Sequence, residues 1–363
     1  MNAIGCSSPP NVCSDLNQSC SITKINLFNY NLVGSLPSSL SRLIELQEIV
    51  FWNNYLTSTL PHTLSLLTNL KVVDFYDNML SGNMESVLPL SDLKELYLSY
   101  NIFSGKLSHE LKHFTQLQRL YLNDNVLSGT LVTALGQLRN VEFLDLNFNS
   151  FSGTLIAELG ELSNLQRLYL NNNPLTGPLS SSLSRLTQLE RLDLFMCQLT
   201  GRLIPELGHM VQMSKLDFSG NLFTGSLLPS LGNLLLLMNL NLFENELSGH
   251  IPTELSRLTR LERLRLEKNQ LEGPLPFFFN NFTRLTFLSL GSNALTGPLT
   301  SVSSLTRLKR LLLQDNQLTG GVTKKLFHSN MSSLEVLDLS HNRSVCLSVC
   351  LSVCLCFVHI VVF

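Results

Sequence analysis

Leu117-Gln-Arg-Leu120-Tyr-Leu122-Asn-Asp-Asn125-Val-Leu127-Ser-Gly129-Thr-Leu131 decides how this chain folds, because the same phrase returns along almost its whole length. Close copies run over Leu165–Leu179, Leu261–Leu275 and Leu285–Leu299. Fourteen copies can be aligned, starting at Ile22, Leu46, Leu70, Leu93, Leu117, Val141, Leu165, Leu189, Met213, Leu237, Leu261, Leu285, Leu308 and Leu334. The offset is 24 residues almost throughout, 23 in two places and 26 before the last copy, which stops after Asn342. A unit of this size cannot bury its own leucines, so the copies must stack, and length no longer counts domains.

Each conserved-looking place within the unit has a physical reason. Leu-x-x-Leu-x-Leu sets its last two leucines on one side of a short strand, and neighbouring copies stack those strands into a parallel sheet. An asparagine three residues on recurs at Asn54, Asn78, Asn101, Asn125, Asn149, Asn173, Asn221, Asn245, Asn269, Asn293, Asn316 and Asn342. It turns inward, where a buried amide needs backbone partners on adjacent coils, so these twelve form an expected structural ladder. Tyr30 and Cys197 stand at that place in the first and eighth copies, and Cys197 is read as structural. Four residues further on comes glycine, as at Gly129, for a turn with positive φ or close backbone approach; Ser58 breaks the rule once. Leucines such as Leu135 and Leu138 fill the opposite side.

Leu-x-x-Leu-x-Leu-x-x-Asn-x-Leu-x-Gly-x-(Ile/Leu)-Pro resembles the plant-type leucine-rich repeat, the unit of receptor-kinase ectodomains, receptor-like proteins and polygalacturonase-inhibitor-like solenoids. The resemblance covers residues 22 to 342, with the proline kept at Pro37, Pro61, Pro252 and Pro276, while the family's Trp-containing N-terminal cap is absent. It implies an α/β repeat solenoid: a right-handed superhelix with a parallel concave β-sheet and an irregular or 3-10 convex side. The organisation expected is a cysteine-containing cap over 1–21, the repeat array over 22–343, and an apolar tail over 344–363.

Composition narrows the function classes. A net charge of −2 gives no electrostatic case for nucleic acid, and charged residues are only 14%. No nucleotide-binding, kinase or hydrolase motif follows the array, and neither a cofactor nor a metal is expected. His109-Glu-Leu-Lys-His113 matches the zinc-protease pattern His-Glu-x-x-His, but Leu111 and Phe114 are convex core places of the repeat and Glu110 aligns with Glu158, Glu206 and Glu254. The segment is therefore expected to be a brief convex turn, too short for a metalloprotease helix. Cys6, Cys13 and Cys20 ahead of the array suit either a capping disulfide with one thiol over or three reduced thiols. The sequons at Asn17, Asn281, Asn330 and Asn342 do not decide the compartment.

The solvent-facing strand places, two, four and six residues after the first leucine, carry the functional expectation. The six-after column holds Phe28, Trp52, Tyr76, Phe195 and Phe243, and the four-after column holds Tyr97, Tyr121 and Tyr169. Aromatics there have no core to fill, and amphipathic rings on an open face are typical anchors for a partner, although strand propensity also favours them. The two-after column is basic at Arg119, Arg167, Arg191, Lys215, Arg263 and Arg310, against Asp74, Asp145, Asp193 and Asp217 in the four-after column; most are read as surface ion pairs. Arg263-Leu-Arg265 sets two guanidinium groups side by side and resembles the Arg-x-Arg pair with which some plant peptide receptors hold a ligand's terminal carboxylate, unless Glu262 or Glu267 neutralises it.

The tail Ser344-Val-Cys-Leu-Ser-Val-Cys-Leu-Ser-Val-Cys-Leu repeats every four residues, as TGT, CTG, TCT, GTC would translate. It is read as translated tetranucleotide repeat or a misjoined exon, with an apolar membrane anchor as the alternative. The start lacks the basic and apolar regions of a secretory signal. The expectation is a non-enzymatic, receptor-like recognition module at the cell surface or outside it, binding a peptide or protein on the concave face, with a co-receptor as second partner and membrane attachment through the tail or a missing segment. The alternatives are an inhibitor of a secreted hydrolase and a cytosolic interaction scaffold.

Overall fold

The computed structural model describes residues 4–6, 21–322, 333–347 and 359–361. It divides into two compact units, Met1–Leu175 and Thr176–Phe363. Each is a stack of coils built alike: a short strand, a left-handed corner, a second strand and a turn that is a 3-10 helix in most coils.

In the first unit the strands Ile22–Asn26, Glu48–Val50, Val72–Asp74, Glu95–Tyr97, Arg119–Tyr121, Phe143–Asp145 and Arg167–Tyr169 lie side by side, each paired parallel with the next. The register is that of the repeat, with Leu96, Leu120 and Leu144 opposite one another. Ile4–Cys6 pairs antiparallel with Ile22–Asn26 and so covers the first edge, where unpaired backbone groups would otherwise be open to another chain. A second parallel sheet runs from Val33–Gly34 to Ser150–Thr154. The second unit repeats this plan, its first sheet running from Arg191–Asp193 to Val336–Asp338.

The predicted interior is the observed one. Leu117, Leu120, Leu122, Leu127, Leu135 and Leu138 are all at most 1% exposed, and each contributes roughly 2 kcal/mol of apolar burial. The ladder fills the bend between the two sheets. Asn125 donates from Nδ2 to Leu98 O (2.9 Å), Leu122 O (3.2 Å) and Asn123 O (3.2 Å), while its Oδ1 accepts from Phe103 N (2.9 Å). Asn269 makes the same four bonds in the second unit, and the other ladder asparagines sit in the same bend. Asn54 takes Tyr30 N as well as Leu32 N, so the first coil lacks an amide of its own but is tied by its neighbour's. Cys197, at the same place, is buried.

Two backbone details follow from the coil. Gly129 has φ 81, and a Cβ there would meet Lys106 Cγ at 2.9 Å; Ser58, which replaces the glycine of its copy, takes φ 70 all the same. The conformation is therefore set by the coil, and the residue accommodates to it. His109–His113 is a five-residue 3-10 turn capped by Ser108, with Leu111 and Phe114 buried, in keeping with its reading as a convex turn.

Segments of the tail extend the second unit. Ser344–Leu347 pairs parallel with Gln317–Val322, and His359–Val361 with Val336–Asp338. The pairing of the N-terminal cysteines and the rest of the tail lie outside the described residues. Among the described residues no helix is long and apolar enough to cross a membrane.

Candidate functional site

The outward side chains of the first sheet stand one strand spacing apart, about 4.8 Å, so identical columns are in lateral contact. In the first unit this produces ring pairs. Phe28 stacks on Trp52 with centroids 4.8 Å apart and planes 7° off parallel, and Tyr97 stacks on Tyr121 at 5.1 Å. Tyr76 meets Tyr100 edge to face at 5.2 Å. Phe143 lies between two guanidinium groups, Arg119 at 5.4 Å and Arg167 at 5.0 Å from its centroid. These contacts have a consequence for the expected binding columns: Phe28 and Tyr76 are exposed, whereas Trp52, Tyr97, Tyr121 and Tyr169 are half-buried by their neighbours. Phe195 and Phe243, in the second unit, are also half-buried.

Charges on this face are mostly held locally. In the first unit Lys24 pairs with Glu48, and Arg119 Nη1 lies 2.8 Å from Glu95 Oε1. Glu95 Oε2 also accepts the Tyr97 hydroxyl at 2.8 Å. Burial followed by that hydrogen bond to Glu95 raises the Tyr97 phenol well above the ordinary range. Asp74 is pushed up to about 6, chiefly by burial, with Glu95 adding to the rise and the backbone bond from Tyr76 opposing it.

In the second unit Lys215 Nζ reaches Asp193 Oδ2 at 3.0 Å, although burial still leaves the Asp193 carboxyl raised. Asp217 accepts from the Ser219 hydroxyl (2.6 Å) and from Asn241 Nδ2 (2.9 Å). Arg265 is bound by Glu267, whose Oε1 accepts from both Nε (2.9 Å) and Nη2 (2.5 Å), and its guanidinium covers Phe243 at 4.6 Å. Arg263 is exposed. The two arginines are thus adjacent but unlike: Glu267 neutralises Arg265, and the two do not stand as a matched fork. Lys268, nearby, is 3.5 Å from Glu244.

A further column escaped the sequence reading. The residue seven places after the first leucine has positive φ in every copy, including Tyr100 (φ 54), Phe148 (φ 47) and Met196 (φ 51). Asparagine, aspartate or glycine suits that place; bulky side chains are uncommon there. Tyr100, Phe148 and Met196 are about half exposed, at 47%, 49% and 52%. The left-handed turn could be recognised from Asn29, Asn53, Asp77 and Asp124 in the same column.

Among the described residues no group of three His, Cys, Asp or Glu side chains is placed to hold a metal ion. A hollow lined by Glu85, Leu88, Pro89, Ser108, Glu110 and His113 lies between the turn at 84–89 and the 3-10 turn His109–His113.

The family model described as Leucine Rich Repeat matches residues 92–114, 116–138, 140–162, 164–186, 188–210 and 212–234. No curated protein matches the sequence. Among solved structures, the plant peptide hormone receptor RGFR1 in complex with RGF2 is similar at 30% identity and TM-score 0.85, covering 89% of this chain and 51% of that one. A TDR receptor is similar at 30% identity and TM-score 0.83, over 86% and 54% of the two chains. The Arabidopsis receptor kinase HAESA in complex with the peptide hormone IDA and the co-receptor SERK1 is similar at 28% identity and TM-score 0.77, over 87% and 57%. This chain therefore spans about half the length of the receptor chains it resembles. Stacked coils, paired parallel sheets and an asparagine ladder define a leucine-rich-repeat solenoid. The chain carries leucine-rich repeats and is similar to plant receptors built from the plant-type repeat.

Proposed function

We propose that this chain is a non-enzymatic, receptor-like recognition module that binds a peptide or protein along the strand face of its first sheet. One observation carries the reading: the strand face of the first unit carries stacked rings outside the core, Phe28 on Trp52 and Tyr97 on Tyr121, with Tyr76 braced by Tyr100 at the corner. Rings already fixed against one another lose little freedom on binding and present an apolar body with a polar edge. The similar receptors, which are described with peptide hormones and in one case a co-receptor, support a peptide as the ligand, a co-receptor as a second partner and the cell surface as the place of action.

The test uses a peptide selected from a displayed random library against the purified chain. Trp52→Ala or Tyr121→Ala is expected to weaken its binding about 30-fold, the effect of losing an anchor worth about 2 kcal/mol. Circular dichroism should show both variants folded. Full affinity in both would overturn the reading.

A further inference from the structure

Asp74 differs from Asp193 and Asp217, which stand at the same place in their coils. At Asp74, Asp217 and Asn241 the side chain accepts from the backbone N–H two residues on: Tyr76 N to Asp74 Oδ1 at 3.1 Å, Ser219 N to Asp217 Oδ1 at 3.2 Å, Phe243 N to Asn241 Oδ1 at 3.3 Å. The second oxygen is where they diverge. Lys215 reaches Asp193, and Asn241 reaches Asp217. Among the described residues no lysine or arginine pairs with Asp74 and no side chain donates to its Oδ2.

Its surroundings explain why nothing does. Across the sheet Asp74 faces Val50 on one side and Tyr97 on the other, with Val72 and Tyr76 along its own strand. Trp52 is the lateral neighbour of Tyr76, since Phe51 N donates to Asp74 O and Asn53 N to Tyr76 O. Phe28 covers one face of the indole, and Tyr100 braces Tyr76. Three cations near the patch are engaged, Lys24 with Glu48, Arg119 with Glu95 and Lys71 with Gln47, and Lys94, beside Lys71 on the next coil, makes no ion pair with Asp74. Other titratable groups near the patch are acidic or phenolic, namely Glu48, Glu95, Asp77, Asp124, Tyr76, Tyr97, Tyr100 and Tyr121. A carboxylate walled by rings, without an internal counter-ion, is complementary to a cation that also stacks. Guanidinium meets both demands, forking to a carboxylate and lying flat on indole or phenol, better than the compact, strongly hydrated ammonium of lysine.

We propose that Asp74, with Trp52 and Tyr76, forms a subsite for an arginine side chain of the ligand. The inference rests on the strand face being the binding surface, and it names the chemistry of one position on it.

The chain's single tryptophan, Trp52, makes the site its own reporter. Titrating the full chain at pH 7.5 with N-acetylarginine amide should give a saturable change in tryptophan emission. N-acetylcitrulline amide, which keeps the shape and lacks the charge, should bind at least tenfold more weakly. Asp74→Asn should reduce the arginine response at least tenfold; Asn241 makes the same backbone bond in a sister coil, so this variant keeps its turn. Tyr76→Leu should cost severalfold. Lowering the pH from 7.5 to 5 should weaken binding as Asp74 takes up its proton near 6. Equal responses to the two amides, or an undiminished response in Asp74→Asn, would overturn the proposal. If library-selected peptides still depend on Trp52 and Tyr121 in that event, the arginine subsite fails alone and the strand-face reading stands.

Discussion

The strand faces of the two units share one backbone and carry different chemistry. In the first, consecutive outward places hold rings: Phe28 on Trp52, Tyr97 on Tyr121, Phe143 between Arg119 and Arg167. In the second, the corresponding places hold closed polar contacts: Lys215 with Asp193, Asn241 with Asp217, Arg265 with Glu267. Beneath both, the leucines and the asparagine ladder are interchangeable. The difference shows where the coil constrains its sequence. Inward places answer to packing and hydrogen bonding that every coil repeats, whereas outward places answer only to their lateral neighbours and to whatever binds.

The largest effects should fall where the units agree. Asn125→Leu and Asn269→Leu each remove four bonds of a buried amide and strand the backbone groups they satisfied, so each should cost about 3 kcal/mol in urea unfolding. Losses differing by more than about 1.5 kcal/mol would break the equivalence of the two interiors. The next test separates the faces. Arg265→Ala leaves Glu267, a buried carboxylate whose Oε2 already lacks a partner, without its counter-ion, and should cost about 2 kcal/mol. Arg119→Ala, at a more exposed pair, should cost less than about 1 kcal/mol.

Asp74 gives a test with a sign. Its folded-state carboxyl is raised from 3.8 to about 6, so the proton is held more tightly in the folded chain. The stability this confers is complete below the unfolded value and is lost as pH rises through about 6. Asp74→Asn should therefore stabilise the chain at pH 7.5, by on the order of 1 kcal/mol after allowance for solvent around the carboxylate, and the gain should shrink towards pH 4. Thermal melts at several pH values would check it; a constant or inverted difference would show that burial does not govern this group. The smallest effect belongs to the left-handed column. Phe148→Asn and Glu244→Asn, from φ 47 and φ 56, should each raise stability by about 0.5 kcal/mol, one in each unit, as measured by urea midpoints.

Most of the fold was legible because the coil imposes it many times over. Leu120 and Leu122 announce a buried strand side, and Asn125 announces an amide that must be satisfied; recurrence at fixed spacing removes the ambiguity a lone copy would carry. Ser58 taking φ 70 in place of glycine shows that even an irregular copy obeys the stack. The candidate site was legible only in part. Alternation identifies which places face outward, but the extent of exposure depends on what stands 4.8 Å to either side, which is why Trp52 and Tyr121 are half-buried. Glu267 capturing Arg265 lies two residues along the same face, and its geometry follows from side-chain conformations that spacing does not specify. Tyr100 and Phe148 were missed because strand alternation ends one residue before them, at the corner where φ changes sign.

The ladder has a mechanical consequence. Asn125 bonds within its own coil and to the coil before it, at Leu98 and Phe103, and to nothing farther away. Among the described residues no ladder bond skips a coil, so tension applied to the ends of the chain would pass from coil to coil, and an end rung, supported on one side only, would give way before the rest. Such a chain should lengthen as a zipper does, in steps of one coil or roughly 80 Å each, with a force plateau set by the weakest exposed rung and little influenced by the number of coils behind it.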